Sequence, residues 1–164
     1  MHRIKKIALT LTFGALLATG CDSANVKSQV TRTIVVIIDL SNSTPSQQHL
    51  LDVHFVTNLI SCLKPGDEIS VLGLTSASFS APTEIIQRRL PLDPDPFQIE
   101  FLRMREKLST DWQNASCALE LKSNTSDVLG ALAYSSRWFG RSSNNEWLIL
   151  LRYSRKSQGR KTRA

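Results

Sequence analysis

The run Ile34-Val35-Val36-Ile37-Ile38 constrains the fold more than any other stretch of this chain. β-Branched residues lose side-chain freedom in a helix and pack well on a pleated surface, so five in a row predict a strand. With no polar alternation, both faces of that strand must be covered, as in a parallel sheet with helices on either side. The run ends on Asp39, and Ser41 and Ser43 follow at alternate positions. Three hard oxygen ligands thus stand where a strand gives way to a loop, at the carboxyl edge of a sheet where open α/β folds bind their ligands. The same residue types also suit a strand-end turn or a helix N-cap, and the pattern alone leaves both readings open.

The rest of the chain alternates between helical and strand periods. After Thr44-Pro45-Ser46, the apolar residues Leu50, Leu51, Val53, Val56, Leu59, Ile60 and Leu63 recur at steps of three and four, predicting an amphipathic helix stopped by Lys64-Pro65-Gly66-Asp67. Glu68 to Leu74 reads as a second strand, Thr75 to Ser80 as a Ser-rich loop and Ile85 to Leu90 as a short edge strand. The breaker cluster Pro91 to Pro96 leads into a helix from about Phe97 to Leu108 or beyond, with Phe101, Leu102, Leu108 and Trp112 as its buried stripe. A further helix is expected over Asp127 to Phe139, burying Val128, Leu129, Leu132, Ala133, Ser136 and Phe139, and Glu146 to Leu151 reads as another buried strand. The expected fold class is therefore α/β: a doubly wound, mainly parallel sheet flanked by helices.

The net charge of +6 would suggest an acidic partner if it were spread over the fold. It is concentrated at the ends. Of 20 Lys and Arg, nine lie in the first six and last thirteen residues, leaving 11 against 14 Asp and Glu between them. A nucleic-acid partner is accordingly not expected. Residues 152–164 are basic with no apolar run and read as a disordered tail.

At the N-terminus, Arg3, Lys5 and Lys6 precede an apolar run from Ile7 to Leu17 and the small residues Ala18-Thr19-Gly20. That is the order of a secretory signal, and the run is short for a membrane span. Leu17-Ala18-Thr19-Gly20-Cys21 resembles a bacterial lipobox, with its leucine one place further from the cysteine than usual. The resemblance implies a signal peptide over 1–20, lipidation of Cys21, a polar tether over 21–32 and a folded domain over 33–151. The chain would then be membrane-anchored through lipid, facing the periplasm or exterior, and Asp22 would favour the inner membrane. Export leaves Cys62 and Cys117 as an even pair, either joined in a disulfide or separately buried.

Three features together resemble the von Willebrand factor A, or integrin I-like, domain: Asp39-Leu40-Ser41-Asn42-Ser43 after a hydrophobic strand, the passage Leu63-Lys64-Pro65-Gly66-Asp67-Glu68-Ile69-Ser70-Val71, and Thr125 just before a helix. The likeness covers about Thr33 to Leu151. It implies a metal-ion-dependent adhesion site in which Asp39, Ser41, Ser43 and Thr125 hold Mg2+ or Mn2+, completed by an Asp or Glu of a partner protein. The implied function is a protein-binding module, not an enzyme. The chain departs from the family where a further Asp usually follows the last strand, since Arg152-Tyr153-Ser154 stands there. It also carries no apolar segment for the strand and helix that continue the family's fold, which makes it look truncated. That departure keeps open a structural or inactive envelope lipoprotein. An apolar strand ending in Asp39 is also how haloacid-dehalogenase-like phosphatases present a nucleophile, but the general acid expected two residues on is replaced by Ser41.

Overall fold

The computed structural model of this chain describes residues 30–92, 97–121, 123–140 and 145–152. The leader, Cys21, Asp22, most of the tether, part of the Pro91–Pro96 cluster and the tail after Arg152 lie outside them. The β-branched run forms β1 (Arg32–Asp39), followed by α1 (Ser46–Ser61), β2 (Glu68–Leu74), β3 (Thr83–Arg89), α2 (Ile99–Cys117), α3 (Val128–Ser135) and β4 (Asn145–Leu151). The four strands form one mixed sheet in the order β3-β2-β1-β4. Strand β1 is parallel to both of its neighbours, with Ile34 beside Ile69 and Trp147, and β3 runs antiparallel to β2.

The continuous apolar run is explained by burial on both faces. Ile34, Val36 and Ile38 pack with Val56, Ile60, Phe101, Leu108 and Trp112 from α1 and α2. Val35 and Ile37 turn to the other face, against Ala131 and Tyr134 of α3. The chain is thus α/β, a mixed sheet flanked by helices. The turn that feeds β2 needs Gly66: its φ is +83°, and a Cβ there would lie 2.5 Å from Thr31 Cγ2. Next to it, buried Asp67 accepts from the Lys64 amide (2.8 Å), the Arg32 amide (3.0 Å) and Arg32 Nε (3.0 Å), so the turn residue also tethers the start of β1.

Several expectations of burial are corrected. Leu50, Leu51 and Leu102 are exposed, because α1 and α2 cover one face of the sheet only and turn these side chains away from it. On α3 the buried positions are Gly130, Ala131, Tyr134 and Ser135, so Leu129 is 80% exposed. That helix ends earlier than predicted, passing into a 3-10 turn at Ser136–Trp138. Strand β4 exists but is not a buried strand: among the described residues it pairs with β1 alone, and of its side chains Ile149 and Leu151 reach the core packed by α1 and α2.

The cysteine pair is corrected as well, since both thiols are free and exposed. Arg105 donates to the Ser61 carbonyl at 3.3 Å and Trp112 Nε1 to Thr57 Oγ1 at 3.1 Å, so α1 and α2 run antiparallel. Cys62, at the end of α1, therefore lies near Arg105, whereas Cys117 closes α2 about 12 residues, or roughly 18 Å, further along its axis. A disulfide needs Cα atoms within about 7 Å.

Candidate functional site

The carboxyl ends of the three parallel strands point the same way, so the residues after them gather at one edge of the sheet. Strand β1 delivers Asp39 there as its last residue, 2% exposed. The following loop is pinned to the segment before α3: the Asn42 amide donates to the Ser123 carbonyl (2.8 Å) and the Ser123 amide to the Leu40 carbonyl (3.2 Å). The loop after β2 joins them, since the Asp127 amide donates to the Thr75 carbonyl (2.8 Å) and the Ser76 amide to Ser123 Oγ (2.8 Å).

Within this frame Asp39 Oδ1 accepts from the Ser41 amide and from Ser126 Oγ, each at 3.0 Å. The first of these bonds is the side-chain turn expected of an Asp at the end of a strand. The serines go further. Ser41 Oγ lies 2.9 Å from Ser43 Oγ and 3.3 Å from Thr44 Oγ1, so three hydroxyls cluster in the turn directly after Asp39. Ser41 and Thr44 are buried and Ser43 is exposed. Asp39 Oδ2 faces Arg152 Nε at 3.9 Å, with Arg152 50% exposed.

The structure thus brings together Asp39, Ser41 and Ser43. Thr125 is exposed, and its carbonyl accepts from Ser123 Oγ, while the hydroxyl that reaches Asp39 from this loop belongs to Ser126. The N-cap of α3 is Asp127, whose Oδ1 accepts from the Gly130 amide at 2.8 Å. Ser126 was legible in principle, as the hydroxyl directly before an N-cap Asp. A second feature that sequence reasoning missed is Asp52, on the buried face of α1. Gln48 Nε2 donates to its Oδ1 at 2.8 Å, while its Oδ2 is buried without a hydrogen-bond partner. Burial pushes the Asp52 carboxyl above the usual carboxylate range, the Gln48 bond and His49 oppose this, and the charge of Asp39 adds to it.

The donor set is one carboxylate and several hydroxyls, all hard oxygens, which suits a small divalent cation that keeps most of its waters. Among the described residues no three His, Cys, Asp or Glu side chains gather at one place, so a soft or carboxylate-rich metal site is not built there. No protein-family model matches the sequence, and no curated protein matches it. The groove along α1 and α2, lined by Thr57, Asn58, Ser61, Leu102, Arg105 and Ser109, holds none of the residues gathered at this edge.

Proposed function

We propose that this chain is a von Willebrand factor A-like protein-binding module in which Asp39, Ser41, Ser43 and Ser126 hold a magnesium or manganese ion. Ser126 takes the part that the family resemblance assigns to Thr125. The observation that carries the reading is the Asp39 carboxylate held by the Ser41 amide and the Ser126 hydroxyl, next to a turn whose Ser41 and Ser43 hydroxyls meet each other, at the carboxyl edge of parallel strands. When bound, the ion supplies an electrophilic position that an Asp or Glu of a partner protein fills. The chain's own residues orient the site. The Ser41 amide and Ser126 hydroxyl fix the Asp39 carboxylate, and the bonds between Asn42, Ser123 and Leu40 hold the two loops in register. In this reading the role of the site is recognition, not catalysis.

The proposal includes a lipid anchor at Cys21, placing the module outside the cytoplasm. Among the described residues no helix is long and apolar enough to cross a membrane. Isothermal titration with magnesium and manganese tests the metal: binding by the wild type that is lost in Asp39→Ala supports it, and no binding, or binding undiminished in the variant, sinks it. Incorporation of labelled palmitate in the wild type but not in Cys21→Ala tests the anchor.

A second reading, a structural envelope protein whose site no longer takes a cation, is favoured by Arg152, which lies 3.9 Å from Asp39 where the family has an acidic residue. The same titration separates the two.

A further inference from the structure

The two edges of the sheet are unlike each other. β3 carries Glu84, Arg88 and Arg89, charges of the kind that keep edge strands from pairing. β4 reads Asn-Glu-Trp-Leu-Ile-Leu-Leu, with a single charge, Glu146, near its start and no Lys, Arg or Pro. Its side chains Trp147, Leu148 and Leu150 are 47%, 42% and 38% exposed, and among the described residues no strand pairs with its outer side. An edge of that length and composition is a template for another strand.

The backbone decides which pairings are open. The Asn145 amide donates to the Thr31 carbonyl at 3.2 Å, so it points toward β1. Successive residues of a strand alternate in direction, and Trp147, Ile149 and Leu151 therefore also turn their amides inward, leaving Glu146, Leu148, Leu150 and Arg152 to face out. An antiparallel partner must pair outward residues with outward residues. If the partner is a second copy, the two-fold axis can then sit at Leu148 or at Ile149. Centred on Ile149, the pairing sets Leu148 opposite Leu150 and Glu146 opposite Arg152, at both ends of the ribbon. Both charged residues are exposed, and each keeps a contact within its own chain that the pairing must share or exchange: Glu146 Oε1 accepts from the Gly140 amide at 2.6 Å, and Arg152 Nε lies 3.9 Å from Asp39 Oδ2. Centred on Leu148, it sets Glu146 opposite Leu150 and gives Arg152 no acidic partner. Charge complementarity thus selects one register, and a two-fold pairing closes on itself, whereas β3-to-β4 pairing would propagate.

We propose that two copies of this chain associate through antiparallel β4–β4 pairing about a two-fold axis at Ile149, joining their four-stranded sheets into one. The pairing covers the exposed Trp147, Leu148 and Leu150, satisfies the outward backbone groups and places a Glu146–Arg152 pair at each end. It does not rest on the metal reading.

Light scattering on the purified protein in detergent, with detergent mass subtracted, should give twice the mass of a single chain measured under denaturing conditions. Leu148→Lys should halve the mass with circular dichroism unchanged, while Leu129→Lys, on an equally apolar exposed position of α3, should leave the dimer intact. Glu146→Arg should weaken the dimer at least tenfold and Glu146→Arg with Arg152→Glu should restore it. For a readout that does not depend on folding of the charged variants, Cys21, Cys62 and Cys117 are replaced by Ala and single cysteines scanned over 147–151. Oxidative cross-linking should peak at Ile149→Cys, the one position that meets itself across the axis. A monomeric wild type, a dimer that survives Leu148→Lys, or cross-linking that peaks elsewhere would overturn the proposal.

Discussion

Replacing Arg152 by Gln should raise the affinity of the proposed site for magnesium. The guanidinium Nε lies 3.9 Å from Asp39 Oδ2, the oxygen of that carboxylate that neither Ser41 nor Ser126 engages. Two unit charges at this separation attract by about 1 kcal/mol in water and about 4 kcal/mol at an effective dielectric of 20. Asp39 is buried but Arg152 is 50% exposed, so solvent screens the pair and the lower figure applies, in line with ~0–1 kcal/mol for exposed ion pairs. An incoming divalent ion must displace that attraction, and its removal is worth about 1 kcal/mol, or roughly fivefold in Kd. The effect is electrostatic and must fade with salt, as the screening length falls from about 30 Å at 0.01 M to about 3 Å at 1 M. Titration of magnesium into wild type and Arg152→Gln at both ionic strengths reads this directly. An affinity unchanged at 0.01 M, or a gain that persists undiminished at 1 M, would refute the reasoning.

Three further outcomes follow from the packing. Asp67→Ala removes the carboxylate that holds Arg32 and the Lys64 amide, leaving a partly buried guanidinium without its counter-ion. It should cost about 3 kcal/mol in urea denaturation, the low end for breaking a buried pair. Asp127→Ala deletes the cap on the Gly130 amide and should lower stability by about 1 kcal/mol, read from the same curves. Asp52 carries a sign that can be checked. Because burial raises its pKa above the ordinary 3.8, the folded chain holds this proton more tightly than the unfolded one. The stability it contributes is then full at acid pH and is lost as pH rises through the folded pKa. Thermal melts should show Asp52→Asn gaining on the wild type as pH goes from 3 to 7, and a widening loss would show that the carboxylate is instead held in its charged form.

Local pattern made much of this architecture legible. A run of β-branched residues with no polar partner had to be an interior strand, and the structure buries Ile34 to Ile38 on both faces. The helix over Ser46–Ser61 follows from its three- and four-residue apolar steps, and its stop from Pro65 and Gly66. Helix faces were read less well. Leu129 and Ala131 differ by little more than half a turn, and the small residues Gly130 and Ala131, which let α3 approach the sheet closely, leave the larger Leu129 outside. The carboxylate and both serines of the site could be read because they are neighbours in sequence. Its third loop could not be placed to the residue, since Thr125 and Ser126 are equally good hydroxyls and only the turn into α3 decides which one meets Asp39.

By itself, the sequence determined the α/β class, the central strand and the oxygen-rich turn that ends it, because these depend on residue types within a few positions of one another. Tertiary structure alone decided the rest. It placed Arg152 against Asp39, two residues 113 positions apart, by laying β4 beside β1 in parallel. It separated Cys62 from Cys117 by running two helices antiparallel. It also left an apolar strand with no partner on its outer side among the described residues, where hydropathy alone had put it inside, because hydropathy records what a strand can bury and not which neighbours it has.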